Sequence, residues 1–134
     1  MSYMSEKSNI EMEKEKFANK LGFKIVERNL SSVTISATPD MSDTNALDMT
    51  HGGFLFSFAD YASALLSNTE EKIAVSNSVY INYIAPCPPN KEIFAKAVYF
   101  TENVRTAIVD VNIFDSSNNI FATMQARLSV RQKS

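Results

Sequence analysis

The 134-residue sequence has one cysteine, one histidine, three glycines and no tryptophan. The single cysteine, Cys87, has no partner for an internal disulfide, so nothing in the sequence indicates secretion. No run approaches the roughly 18 apolar residues that a membrane-spanning helix needs. The N-terminal stretch MSYMSEKSNIEMEKEK carries charges but lacks the apolar segment of a signal peptide. We therefore expect a cytoplasmic protein that does not insert into a membrane.

An excess of charge is also missing. The sequence has 13 Lys and Arg residues against 15 Asp and Glu residues, a net charge of −2. A nucleic-acid partner is not expected, because phosphate recognition needs a surplus of basic side chains. A small basic patch for a phosphate-bearing ligand remains compatible with this balance. The length predicts a single domain over residues 12–134, preceded by a flexible N-terminus over residues 1–11.

Hydrophobic periodicity predicts an α+β fold. A short N-terminal helix over residues 11–21 ends at Gly22, and a long helix over residues 51–68 is apolar on every side. Between them and after them lie six predicted strands, over residues 23–29, 33–39, 73–85, 92–100, 105–115 and 119–130. A curved antiparallel sheet wrapped around the long helix would bury both the sheet and the helix.

The long helix carries the residues that are best suited to take part in a chemical reaction. His51 and Asp60 are nine positions apart, which on one helix gives a rise of about 13.5 Å and places them on opposite faces. They cannot form a dyad within one helix. If both serve one reaction, the site must be built from two chains.

Two glycines open this helix, and each has two explanations. Gly52 and Gly53 lie where backbone N–H groups have no partner within the helix, so a ligand oxygen could approach them closely. Alternatively, they only permit a tight entry into a crowded helix. Asp60 is either a general base or nucleophile in a pocket, or a residue on a narrow solvent-facing strip with Ser57 and Ser63.

The remaining chemical motifs are weak or absent. A lone histidine such as His51 is more often structural than catalytic, and without histidine or cysteine neighbours it does not indicate a metal site. Cys87 is interpreted as an ordinary loop thiol. The sequence has no GxSxG, P-loop or GxGxxG motif, so serine-hydrolase and nucleotide-binding functions have no support.

The set Asn45, His51, Gly52, Gly53 and Asp60 resembles the hotdog-fold acyl-CoA thioesterases of the phenylacetate-pathway (PaaI) type. The stretch VSNSVYINYIAP resembles the strand after the helix in that family, with its Tyr-x-x-Pro ending. The stretch VRTAIVDVNIFDSSNNIFATMQARLSV is similar to the last hairpin of that family. The resemblance covers roughly residues 15–131.

The resemblance implies a hotdog fold in which two subunits join their sheets and form two sites at their interface. It implies that Asp60 activates a water molecule or attacks directly, and that Asn45 holds the water or the thioester. The backbone N–H of Gly52 polarises the thioester carbonyl, and Ser76 assists the water. One subunit supplies Asp60 to the site that Asn45, His51 and Gly52 form in the other.

The sequence also departs from the family. Asp48 stands where many relatives have a glycine, so the loop could have a different shape and a second carboxylate could lie near the thioester. Ala64 stands where some relatives have a threonine or serine, which leaves water positioning to Asn45 and Ser76.

Candidate substrate-binding residues are less certain from sequence. Gly53, Phe54 and Tyr61, with Phe58 and Leu65, could line an acyl pocket or could be core. Arg105 is the candidate residue for contacting the phosphates of coenzyme A. Arg127 and Arg131 are also arginines that could be exposed, so they are alternative candidates.

The leading functional hypothesis is hydrolysis of an acyl-CoA thioester, without a metal or cofactor, by a homodimer or homotetramer. One alternative is a non-catalytic module that binds acyl-CoA. Another is a hotdog dehydratase acting on hydroxyacyl thioesters. The acyl group and the choice between nucleophile and base remain open.

Overall fold

The computed structural model of the protein describes residues 15–133. Its helices are α1 (Lys16–Lys20) and α2 (Gly52–Ser67), and its strands are β1 (Lys24–Arg28), β2 (Ser32–Ala37), β3 (Lys72–Tyr83), β4 (Ile93–Glu102), β5 (Thr106–Asp115) and β6 (Ile120–Gln132). This order confirms the predicted one. The predicted flexible N-terminus and the first residues of the predicted N-terminal helix lie outside the described residues.

The six strands form one antiparallel sheet in the order β1-β2-β4-β5-β6-β3. Helix α2 follows β2, and the chain then returns to the far edge of the sheet as β3. The inner face of the sheet packs on α2, which contacts β2, β3, β4, β5 and β6. The predicted fold class, a curved antiparallel sheet around one long helix, is confirmed.

Period-2 alternation explains which face of the sheet is buried. In β5 the side chains of Ala107, Val109, Val111 and Ile113 are at most 1% exposed, and the residues between them are more accessible. Alternate residues point to opposite faces of a strand, so the apolar set faces α2. No helix within residues 15–133 is both long and apolar enough to cross a membrane.

Helix α2 is not buried on every side, so that expectation was wrong along one strip. Gly53, Phe56, Ser57, Asp60 and Ala64 are exposed or half-buried, at the three- and four-residue spacing of one helix face. One sheet covers only part of the circumference of a helix. Within residues 15–133 this strip is left uncovered, and Asp60 lies in its middle.

The C-terminal end of α2 is held by strand β1. The guanidinium of Arg28 donates from Nε and Nη2 to the carbonyl of Leu65 at 3.2 and 3.0 Å, and from Nη2 to that of Asn68 at 3.0 Å. A positive charge at a helix C-terminus also interacts favourably with the helix dipole. This contact ties the C-terminal end of α2 to strand β1.

Candidate active site

The N-terminus of α2 is capped by His51. Its Nδ1 accepts the N–H of Gly53 at 2.8 Å, and its carbonyl accepts the N–H of Phe54 at 2.9 Å. The N–H of His51 itself donates to the Asp43 carbonyl at 2.8 Å. Of the first four N–H groups, that of Gly52 alone has no acceptor within residues 15–133. His51 thus has a structural role that leaves one backbone donor free.

Both glycines have a packing reason within the chain. A Cβ on Gly52 would lie 3.2 Å from Cζ of Tyr83, and a Cβ on Gly53 would lie 3.0 Å from Nδ1 of His51. The hydroxyl of Tyr83 donates to the Gly52 carbonyl at 3.1 Å. Close packing of Tyr83 and His51 therefore explains the two glycines in part. This agrees with the explanation that they permit a tight entry into a crowded helix.

A surface groove of about 430 Å³ opens beside this helix end. It is lined by Asn45, Leu47, Met49, Thr50, Gly52, Leu55, Tyr83, Ile84, Ala85, Pro86 and Cys87. Leu55 and Cys87 are buried and form the floor, while Asn45 and Ile84 are exposed at the rim. The groove brings together two of the predicted site residues, Asn45 and Gly52.

The amide of Asn45 is oriented by its own loop. Its Oδ1 accepts the backbone N–H of Leu47 at 2.9 Å and that of Met49 at 3.3 Å. Only the carbonyl oxygen of an amide can accept two N–H groups, so the NH₂ group is the free end. No residue within 15–133 takes a hydrogen bond from this Nδ2. Asn45 can therefore donate to a ligand oxygen.

Asp48 shapes the same loop. Its φ is +61°, in the left-handed region that glycine adopts without strain and that aspartate tolerates. The backbone at this position therefore has the conformation that a glycine would favour, despite the carboxylate. This explains physically why a glycine is suited to the position, and it places the Asp48 side chain in the exposed part of the loop.

Asp60 has no hydrogen-bond donor or cation within residues 15–133. Its side chain is half-buried, and burial raises the pKa of its carboxyl. Burial, and then the charge of Asp60, also raise the pKa of Glu15, which stands at the start of α1. Two neighbouring carboxyls without a counter-charge are costly, and perturbed carboxyls of this kind are common at functional sites. No sequence pattern indicates that Glu15 lies beside Asp60, because one residue directly precedes α1 and the other lies in α2.

The N–H of Gly52 and the carboxylate of Asp60 cannot both contact one reacting carbonyl group within one chain. Eight residues of α-helix separate them, a rise of about 12 Å along the axis. An oxyanion donor and a base acting on one carbonyl must both lie within hydrogen-bond reach of the reacting atoms. Within residues 15–133, the helix therefore presents a free N–H group and a carboxylate without a donor at two separate places.

Ser76 lies on β3, the strand at the edge of the sheet. It is paired with Leu128, which is buried against α2, and residues directly opposite each other share a face. Ser76 therefore faces the helix side while remaining exposed. A bulge at Asn77, whose Nδ2 donates to Oγ of Ser129 at 2.6 Å, follows it directly.

None of the four predicted substrate-binding residues lines the groove in this chain. Phe54 and Tyr61 lie in the core, where their ring centroids are 5.4 and 6.1 Å from that of Phe23. Arg105 precedes β5, at the end of the sheet opposite to Tyr83 and the groove. Gly53 is exposed at the helix N-terminus. Sequence reasoning missed Tyr83, although its Tyr-x-x-Pro motif was visible.

No three His, Cys, Asp or Glu side chains within residues 15–133 are arranged to hold a metal ion. Cys87 is 1% exposed, and burial raises the pKa of its thiol. A buried thiol with a raised pKa is a poor nucleophile. The groove therefore offers the donors at Gly52 and Asn45, and the carboxylate of Asp60 lies apart from it on the open strip of α2.

Comparison with known proteins adds independent information. No protein-family model matches the sequence. The chain is 29% identical over 108 residues to the "Putative esterase" of Archaeoglobus fulgidus, covering 81% of this chain and 70% of that protein. It is 24% identical over 115 residues to the acyl-coenzyme A thioesterase PaaI of Escherichia coli, covering 86% and 82%.

Solved structures share the fold. The E. coli PaaI protein of the phenylacetic acid degradation operon superposes with a TM-score of 0.85 at 22% identity, covering 99% of this chain and 96% of that one. A hypothetical thioesterase from Streptococcus pneumoniae, solved with coenzyme A, gives a TM-score of 0.79 at 21% identity, covering 84% and 92%. The protein therefore has the hotdog fold. Its sequence is similar to that of a PaaI thioesterase, at 24% identity.

Proposed function

We propose that the protein hydrolyses acyl-CoA thioesters to a free carboxylic acid and coenzyme A. The observation that carries this proposal is the unpaired, half-buried carboxylate of Asp60 on the open strip of α2. Such a group is costly to the fold and useful as a base or nucleophile. The relationship to thioesterases supports the same reaction.

The proposed chemistry needs two donors and one carboxylate. The N–H of Gly52 and the Nδ2 of Asn45 donate to the thioester carbonyl oxygen and stabilise the charge that develops there. As a base, Asp60 takes a proton from a water molecule whose oxygen attacks the carbonyl carbon; the carbon–sulfur bond then breaks, and Asp60 passes that proton to the coenzyme A thiolate. As a nucleophile, Asp60 attacks the carbon itself and the thiolate leaves; a water molecule then hydrolyses the mixed anhydride, which frees the acid and Asp60 and supplies the proton that the thiolate gains. Ser76 assists the water from the edge strand.

The two halves of the site come from two subunits in this proposal. Strand β3 has 12 residues and a free edge, and it exposes Val75, Tyr80 and Tyr83 by 62, 69 and 53%. A long edge strand of this kind is a template for pairing. We propose that β3 pairs with β3 of a second copy, so that Asp60 of each subunit meets Gly52 and Asn45 of the other. The assembly is a homodimer or a dimer of dimers.

The test measures release of free thiol from phenylacetyl-, medium-chain and branched acyl-CoAs by the wild type and Asp60→Asn. We expect turnover by the wild type and a loss of about 10²-fold or more in the variant. Binding of coenzyme A without any turnover by either protein would contradict hydrolysis and leave a binding module.

We also propose a cytoplasmic location, which fits the buried free thiol of Cys87.

Mixing two inactive variants tests whether the site is shared. Asp60→Asn and Asn45→Ala each remove one half of every site in their own homodimers. A mixed dimer has one intact site, so random exchange of subunits should restore about a quarter of the wild-type activity. No recovery after verified exchange would mean that both residues act within one chain.

A further inference from the structure

The peptide unit between Gly52 and Gly53 is held at both of its polar ends. Its N–H, that of Gly53, donates to Nδ1 of His51 at 2.8 Å, and its carbonyl, that of Gly52, accepts from the hydroxyl of Tyr83 at 3.1 Å. A carbonyl oxygen can only accept, so the phenol is the donor. The free N–H of Gly52 belongs to the preceding peptide unit, and its direction depends on the backbone angles of Gly52.

Glycine does little to fix these angles itself, because without a Cβ it has more backbone freedom than any other residue. A donor that stabilises an oxyanion is effective when it is oriented before the substrate binds, since no free energy is then spent on turning it during the reaction. The orientation of Gly52 must therefore come from its neighbours. Tyr83 restrains it from outside the helix, because its ring also packs on Gly52, where a Cβ would lie 3.2 Å from Cζ and 3.4 Å from Cε1.

Tyr83 is itself fixed by the sheet. It is the last residue of β3 and pairs with Ala122 of β6. The next two N–H groups, those of Ile84 and Ala85, donate to the carbonyl of Phe121 at 2.8 and 3.3 Å. Ala122 is fully buried, and directly opposite residues share a face, so the ring of Tyr83 lies on the helix side of the sheet. The edge strand therefore supports the first turn of α2 through this ring.

We infer that Tyr83 is a positioning residue for the oxyanion donor, which holds Gly52 so that its free N–H is directed into the groove that both residues line. The inference rests on the proposed function, and it adds a residue that acts on the reaction through Gly52. Without the phenolic hydroxyl, the helix keeps its cap at His51 but loses the restraint on the Gly52 carbonyl. The N–H then spends less time in the direction that the oxyanion needs.

The first test compares Tyr83→Phe, which keeps the ring and removes the hydroxyl, with Tyr80→Phe. Tyr80 lies on the same strand and is also exposed, but it pairs with Gln125 and faces the outer side of the sheet. With one acyl-CoA we expect Tyr83→Phe to lower kcat roughly tenfold and to change KM by less than about twofold, because an oxyanion donor acts mainly on the transition state. Tyr80→Phe should match the wild type. An unchanged kcat in Tyr83→Phe, or a rise in KM as large as the fall in kcat, would overturn the inference.

The second test observes the donor directly by NMR and needs no turnover. The sequence has three glycines, so protein labelled with ¹⁵N-glycine gives three backbone N–H signals, from Gly22, Gly52 and Gly53. Their order parameters report motion on the picosecond to nanosecond timescale. We expect Tyr83→Phe to lower the order parameter of Gly52 from the value of rigid backbone, about 0.85, towards that of flexible backbone, below about 0.6.

Gly22, which follows α1, is the internal control, and its order parameter should not change. An unchanged value at Gly52, or an equal fall at Gly22, would overturn the inference. Absence of turnover by the wild type would instead refute the proposed hydrolysis, and the order parameters would still decide whether Tyr83 holds Gly52.

Discussion

Replacing Asp60 by asparagine should stabilise the protein while it abolishes activity. The carboxylate is half-buried, has no donor within residues 15–133 and lies beside Glu15. A buried polar group without a hydrogen bond costs about 1–3 kcal/mol in proteins, and an unpaired charge costs at least as much. The side chain retains part of its hydration, so we expect Asp60→Asn to raise the free energy of unfolding by about 1–2 kcal/mol at neutral pH.

The gain should depend on pH in a defined direction. Burial raises the pKa of Asp60 above its ordinary value, so the folded protein holds this proton more tightly than the unfolded chain. Stability therefore falls as pH rises from the unfolded pKa, about 3.9, through the raised folded pKa. The penalty is complete above the folded pKa and absent below the unfolded one. The advantage of Asp60→Asn should accordingly shrink as the pH is lowered towards about 4.

Denaturant unfolding at fixed protein concentration, at neutral pH and at about pH 4.5, measures both effects. Asp110→Asn is the matched control, because Asp110 is also half-buried but accepts a hydrogen bond from Nε2 of Gln125 at 2.9 Å. The control should show no gain in stability. If Asp60→Asn is less stable than the wild type at neutral pH, Asp60 has a structural partner and the reasoning from an unpaired carboxylate is refuted.

Three further substitutions test features of the fold. Asp48→Gly should raise Tm by a few degrees, because glycine adopts φ +61° without strain; a lower Tm would show that the carboxylate stabilises the loop. Arg28→Ala should lower the free energy of unfolding by about 2 kcal/mol in denaturant titrations through loss of its bonds to the end of α2, whereas the exposed Lys24→Ala on the same strand should have little effect. Asp115→Ala should lower Tm more at pH 7 than at pH 3, because its bonds to Lys91 and Asn119 lower the pKa of Asp115, so their contribution is complete above the unfolded pKa and is lost progressively as the pH falls below it towards the folded pKa; an equal loss at both pH values would contradict this.

The sequence was sufficient for the parts of the fold that depend on local periodicity. The predicted helix over residues 51–68 is α2 with its two capping residues, His51 and Asn68. The period-2 alternation visible in the sequence of β5 matches the burial of its alternate residues. These features can be predicted because the backbone sets the 3.6- and 2-residue periods, and a short stretch of sequence is enough to show them.

Contacts between distant segments could not be predicted in the same way. The wheel of α2 is apolar all round, so it did not show that Phe54 and Tyr61 face the core while Phe56 lies on the open strip. Tyr83 reaches Gly52 from 31 residues away, and its position depends on the register of β3 with β6. A one-residue change of register moves every side chain of a strand to the other face.

Two features of the described residues are unfavourable in one chain, the free edge of β3 and the carboxylate of Asp60, and pairing of subunits would relieve only the first. The free edge of β3 leaves backbone groups and exposed apolar side chains without partners, and a second copy of β3 would satisfy both. Asp60 is different, because pairing would bury it further without supplying a counter-charge from the described residues. The edge strand is therefore expected to stabilise the assembly, and Asp60 to destabilise it. Pairing would remove the cost of the free edge but not the cost of the buried carboxylate, so we infer that Asp60 is retained for its chemistry. Stability and activity should therefore change in opposite directions when Asp60 is replaced.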